Sequence, residues 1–165
     1  MIFDTKDSAR RYFSEISFIP KVSQYFLMIQ NLTELIKSHN VSWGSFKPII
    51  NKLFKHEPDL IFIENVFGKG FFSYPQVIGD QINYFDQQGN GVRPEALMIP
   101  GLSFDKRGFR LGRGKGHFDK YFAKQKPLRI GVCFHEFLSD KIPDEGHDVK
   151  MNFIVTDKCV IEIGN

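Results

Sequence analysis

Along the first forty residues the apolar positions recur at helical spacing. Ala9, Tyr12, Phe13 and Ile16 share one stripe behind Asp4 or Thr5 as a cap, and predict a first helix that Pro20 ends. Val22, Tyr25, Phe26, Ile29, Leu32 and Ile36 predict a second amphipathic helix within residues 21–39, its apolar face turned to the core. The period then shortens. Residues 41–46 (VSWGSF) read as a strand, and Pro58 suits the first turn of another helix. Residues 68–70 (GKG) read as a turn, 71–74 as a strand stopped by Pro75, 82–85 as a further strand and 86–91 (DQQGNG) as a polar turn. A short apolar strand (97–99) leads through a Pro-Gly break and a turn at 105–108 to the amphipathic run Phe118, Tyr121, Phe122. Residues 128–134 are continuously apolar, as a strand buried on both faces requires. A polar loop at 144–148 and strands at 152–156 and 160–163 complete the chain. Strand and helix signals alternate with no repeat or linker, so the pattern predicts one α/β domain over residues 1–165. Helices would cover both faces of its sheet, with a ligand at the C-terminal edge of the strands.

Composition narrows this only slightly. A chain of 165 residues, 42% hydrophobic and 25% charged, is an ordinary soluble globular domain with enough material for a core. Its 18 phenylalanines point to a core packed with rings. A net charge of +3 admits a small anionic ligand and does not call for nucleic acid. Cys133 and Cys159 have no metal-ligand spacing and do not resemble a disulfide pair, which suits a reducing, cytoplasmic setting. The polar N-terminus has no signal-like apolar segment, and no run reaches membrane-spanning length, so no membrane partner is expected.

Candidate chemistry is concentrated in residues 110–119, Arg-Leu-Gly-Arg-Gly-Lys-Gly-His-Phe-Asp. Gly112, Gly114 and Gly116 alternate just before the amphipathic run, describing a loop that empties into a helix N-terminus. Exposed N–H groups and the positive helix end bind anions there. Arg110, Arg113 and Lys115 add cations, and Asp119 a carboxylate able to meet Mg²⁺ beside a triphosphate. The spacing is neither a Walker A loop nor a dinucleotide fingerprint. A glycine-rich stretch also serves as a plain flexible turn, and the residues alone leave the two readings even. Lys6 and Arg10, one turn apart on the first helix, read on their own as a solvated stripe, and Glu57 as an exposed loop acid. His147 beside Asp148 reads as part of a structural loop, since neighbours in sequence seldom act as base and orienter.

Residues 100–122, PGLSFDKRGFRLGRGKGHFDKYF, resemble the signature of the 5-formyltetrahydrofolate cyclo-ligase (5,10-methenyltetrahydrofolate synthetase) family, approximately PGxxFDxxGxRLGxGxGYYD. The resemblance extends from about Lys6 to Thr156. It implies a Rossmann-like three-layer α/β/α fold with a mainly parallel sheet, and ATP- and Mg²⁺-dependent conversion of 5-formyltetrahydrofolate to 5,10-methenyltetrahydrofolate. Carried over residue by residue, it makes Arg113 and Lys115 catalytic. Lys6, Arg10, Arg110, Gly112, Arg113, Gly114, Lys115, Gly116, His117 and Phe118 would bind ATP. Glu57, Lys115 and His117 would contact folate, and Asp119 and Asn152 the metal. A monomer with no nucleic-acid partner is expected.

The chain departs from the family pattern at several places. His117-Phe118 stands where relatives have Tyr-Tyr, Phe137 where they have Gln, Asn152 where they have Asp, and Arg93 where many have Glu. Phe137, Asn152, Arg93 and the short linker from Arg93 to Leu97 support a competing expectation, a paralogue that binds nucleotide or folate with little or no turnover. A nucleic-acid binder using the basic stretch 106–129 ranks last, because the aromatics there are spaced for a core rather than for stacking.

Overall fold

A computed structural model describes residues 3–39, 42–44, 72–86 and 88–164. The predicted helix after Pro58, the turn at 68–70 and Glu57 lie outside the described residues. Helix α1 (Lys6–Glu15) opens the chain. Thr5 is its cap: its hydroxyl accepts from the Ser8 amide at 3.1 Å while the Thr5 amide donates to the Ser8 hydroxyl at 3.3 Å. The helix ends at Glu15 because Ile16 is extended, four residues before Pro20. Helix α2 (Val22–Lys37) buries Tyr25, Ile29, Leu32 and Ile36 of the predicted stripe, with Met28 and Leu35 beside them. Val22 and Phe26 of that stripe are exposed, because the buried face turns toward Met28 and Leu35 instead.

The main sheet contains β1 (Trp43–Gly44), β2 (Phe72–Ile78), β3 (Gln81–Phe85), β4 (Gly91–Val92), β5 (Ala96–Pro100), β8 (Leu128–Val132), β10 (Phe153–Val155) and β11 (Val160–Glu162). Its order is β11-β10-β8-β5-β1-β2-β3-β4. The five central strands are parallel, and β11, β3 and β4 are antiparallel additions at the edges. The fold is thus a mixed α/β one with a mostly parallel central sheet. Burial on both faces explains the unbroken apolar run of β5. Ala96 and Met98 pack with α2, Trp43 and Ile130, while Leu97 and Ile99 pack with Ile154, Phe104 and Phe122. Phe122 belongs to α3 (His117–Lys124), on the face opposite α2.

Two features differ from the sequence pattern. Strand β2 does not stop at Pro75 but runs to Ile78, pairing Pro75 with Tyr84 of β3. Its neighbour β1 pairs with Phe72 and Ser73 of this strand among the described residues. The second is a three-stranded sheet of β6 (Ser103–Asp105), β7 (Arg110–Leu111) and β9 (Leu138–Ser139). These strands are too short for a periodic signal to register.

The small sheet rests on the large one through Phe104. A Cβ on Gly131 of β8 would lie 2.4 Å from the Phe104 ring, which is itself fully buried. Gly131→Ala is therefore expected to destabilise by roughly 1–3 kcal/mol through overpacking. The readout is a lower denaturant midpoint at unchanged slope. A midpoint equal to that of the unsubstituted protein would mean that the ring can withdraw.

Candidate active site

The turn between β6 and β7 is built around Asp105, whose side chain is fully buried. Its carboxylate accepts from the backbone amides of Arg107 (3.0 Å), Phe109 (3.1 Å) and Ile142 (2.8 Å). The Arg107 guanidinium adds bonds from Nε at 3.2 Å and a terminal nitrogen at 2.8 Å. Arg107 continues to Asp144 at 2.8 Å and to the Ile142 carbonyl at 2.7 Å. The hairpin and residues 142–148 are thereby held as one piece, and the glycine loop leaves from its second strand.

Gly114 and Gly116 have φ values of 95° and 70°, a region that side chains with a Cβ rarely adopt. Gly116 is the N-cap of α3, so the chain enters the helix with its first amides uncovered. Arg110 is anchored by Nε to the carbonyl of Pro100, at the C-terminal end of β5, at 2.6 Å. Its guanidinium lies 4.8 Å from the centre of the Phe118 ring. Burial pushes the Arg110 pKa down to about 10, opposed by the charge of Asp119, so the group stays protonated at neutral pH. Among the described residues Arg110, Arg113 and Lys115 form no ion pair.

Helix α1 completes the site. Arg10 donates from Nε to the Gly112 carbonyl at 3.0 Å and from a terminal nitrogen to Asp7 at 2.8 Å. Lys6 lies 2.8 Å from Asp148 and 3.9 Å from Glu145. Burial alone would raise the Asp148 pKa, but bonds from Lys6 and the Glu145 amide outweigh it, and the carboxyl sits below its ordinary value. The sign follows for a depressed acid: the pair is intact at neutral pH and its contribution is lost only as pH falls through that lowered value.

These elements enclose a cavity of about 990 Å³. Lys6, Arg10, Arg110, Arg113 and Lys115 all line it, with the loop glycines, His117, Asp119 and the acids Asp4, Asp7, Asp144, Glu145 and Asp148. An apolar wall comes from Pro75, Val77 and Ile82, with Phe122 and Phe118 in the same packed cluster as Ile82. Sequence reasoning missed this wall. Pro75 and Val77 are two apart, the spacing of one strand face, but a strand taken to stop at Pro75 has no such face. The cavity opens beyond the C-terminal end of β5. There the chain order divides, β1 leading to β2 on one side and to β5, β8 and β10 on the other, the position where ligands bind in open α/β sheets.

The structure thus brings together every expected site residue among those described except one. Asn152 does not line the cavity. Its side-chain oxygen accepts from the Arg129 amide at 2.8 Å, setting the register of β10 against the start of β8. An asparagine spent on a strand start is not placed to share a metal with Asp119, and the expectation for it is corrected here. Phe137 and Arg93 are also outside the cavity. Phe137 packs edge-on against Phe18 at 5.5 Å, and Arg93 lines a separate, smaller cleft of about 520 Å³ between β3 and α3. Among the described residues no His, Cys, Asp or Glu cluster could hold a metal by itself. None of the described helices is long and apolar enough to cross a membrane.

Comparison with known proteins agrees with this geometry. The family model of the 5-formyltetrahydrofolate cyclo-ligase family matches residues 77–157, from the apolar wall through the glycine loop to β10. The 5-formyltetrahydrofolate cyclo-ligase of Mus musculus is 39% identical over 84 residues, covering 42% of this chain and 41% of the relative. That of Mycoplasma pneumoniae is 31% identical over 145 residues, 78% of this chain and 86% of the relative. The solved structure of Aquifex aeolicus 5,10-methenyltetrahydrofolate synthetase has the same fold, with a TM-score of 0.74, 21% identity and coverage of 97% and 93%. With 31% identity to a relative that it covers to 86%, the chain belongs to the 5-formyltetrahydrofolate cyclo-ligase family.

Proposed function

We propose that the chain converts 5-formyltetrahydrofolate to 5,10-methenyltetrahydrofolate at the expense of ATP, as a monomeric, cytoplasmic, single-domain enzyme of Rossmann-like three-layer architecture. The observation that carries this reading is the cavity, which the loop cations and the apolar wall line together. A triphosphate needs cations and free amides, and a pterin with its aromatic extension needs an apolar wall.

The chemistry explains the residues. The formyl oxygen is a poor leaving group until it is phosphorylated. As that oxygen attacks the γ-phosphorus, ADP leaves. N10 then closes onto the activated carbon and phosphate departs. Such a transfer depends on alignment and on neutralising charge that is spread over the phosphoryl oxygens. Arg113 and Lys115, exposed and without an ion pair among the described residues, supply that neutralisation. Arg110, held against Phe118, supplies a fixed charge. Lys6 and Arg10 hold phosphate from α1, the amides from Gly112 to Phe118 form the cradle, and Lys115 and His117 face the folate.

Magnesium fits this site in one form. Mg²⁺ commonly takes one or two carboxylates together with substrate phosphates and water, and Asp119 lines the cavity beside the loop cations. Asp119, together with other acids that line the cavity such as Asp148, would hold a metal arriving with the nucleotide, whose charge would offset that of the phosphates.

The test is absorbance-monitored formation of 5,10-methenyltetrahydrofolate by purified protein with Mg-ATP and 5-formyltetrahydrofolate. Steady ATP-dependent turnover is expected. A background rate with ATP binding intact would favour the paralogue reading. That reading is not favoured by the geometry, because Phe137, Asn152 and Arg93, the departures behind it, all stand outside the cavity.

A further inference from the structure

The smaller cleft between β3 and α3 has a volume of about 520 Å³, within the range of small-molecule sites. Three cations line it, Arg93, Lys120 and Lys124, against one acid, Asp80. Asp80 is already spent on Lys120, 2.6 Å away, and that contact holds its carboxyl below the ordinary value. Arg93 and Lys124 have no carboxylate partner among the described residues. We propose that this cleft binds a small polycarboxylate, an anion with two or more carboxylates set several ångströms apart. The site stands independently of what the larger cavity holds.

Tyr121 lines the same cleft and is held in place by its neighbour on β3. The buried Tyr84 ring meets it edge-on, with centroids 5.5 Å apart. The Tyr121 hydroxyl has no hydrogen-bond partner among the described residues. Burial raises its pKa, opposed by the charge of Arg93, so at neutral pH the phenol keeps its proton and remains a donor. A guanidinium and a hydroxyl with nothing to bind thus line one cleft, and Gln81 and Gln125 add side-chain amides. The guanidinium fork matches a carboxylate with two parallel bonds. Lys120 and Lys124 are one helical turn apart, about 5.4 Å along the axis, and Arg93 comes from the segment after β4. A single phosphate reaches one of these positions, whereas linked carboxylates reach Arg93 and Lys124 together. Helix α3 serves both hollows: Phe118 and Phe122 line the cavity, Tyr121 and Lys124 the cleft. An occupant of the cleft therefore bears on the helix that the glycine loop enters.

Amide NMR of the isotope-labelled full chain, titrated with citrate in about 0.15 M salt, tests the site. Saturable shifts are expected at residues 91–93 and 120–125, half-complete at about 1 mM citrate or less. Arg93→Ala and Lys124→Ala should each weaken this binding about tenfold, the effect of losing one charge-assisted contact. Both side chains are exposed, so the variants should melt with the unsubstituted protein. Arg93→Lys should recover only part of the affinity, because an ammonium lacks the planar fork. Inorganic phosphate should bind the same residues about tenfold more weakly than citrate, since it reaches fewer of the donors. Shifts confined to residues 110–118 would place citrate in the larger cavity and overturn the proposal. So would an affinity left unchanged by either alanine variant. Phosphate that binds the cleft as tightly as citrate would overturn the assignment of a polycarboxylate.

Discussion

Lys115→Met is expected to lower the turnover rate by about 10²–10³ and to leave the melting temperature unchanged. The two halves of that expectation have separate grounds. Lys115 is exposed in the glycine loop and, among the described residues, forms no ion pair, so the native structure does not depend on its charge. Its position in a cavity with Arg110 and Arg113 gives it one plausible task, stabilising charge as the phosphoryl group moves. Methionine keeps much of the stem and removes the ammonium. Single-turnover and steady-state rates with saturating Mg-ATP would measure the loss, and thermal unfolding would check the fold. Near-normal kinetics would remove Lys115 from the mechanism and leave the loop as a binding element only.

Asp105→Ala should behave in the opposite way, failing as a fold before it fails as an enzyme. The carboxylate is fully buried and takes three backbone amides and two bonds from Arg107. Alanine would leave those donors without an acceptor in a dry place and would release residues 142–148 from the hairpin. A loss of about 3 kcal/mol or more is expected, which for a domain of this size lowers the melting temperature by roughly 6–12 °C. Differential scanning calorimetry measures it directly. A shift of no more than about 2 °C would mean that water replaces the carboxylate without penalty. Together the two variants separate the residues of the signature stretch into those that perform chemistry and those that hold the loop in place.

Local signals were enough for much of this protein. The stripe at Ala9 and Phe13, the stripe of α2, the apolar runs of β5 and β8, and the alternating glycines before α3 each depend on residues within one or two turns of one another. The period of buried positions is set by backbone geometry, so it shows in the chain without knowledge of any partner. The turn at Asp105 and the cap at Thr5 are legible for the same reason, because their hydrogen bonds close over two to four residues. The cations of the loop pointed to the cavity by themselves, whereas Lys6 and Arg10 read on their own as a solvated stripe and joined it only through the family resemblance.

Partner choice across the fold was decided only by the tertiary structure. No period in the sequence says that Asp148 meets Lys6, that Asn152 is spent on the Arg129 amide, or that Phe104 lies over Gly131. The apolar wall at Pro75 and Val77 needed the antiparallel pairing of β2 with β3, which carries the strand through a residue that locally reads as a stop. Side-chain period reports which face of an element is buried. Which element covers that face, and which charge meets which, is determined by loop closure and packing among groups far apart in the chain, and those contacts exist only once the sheet is assembled.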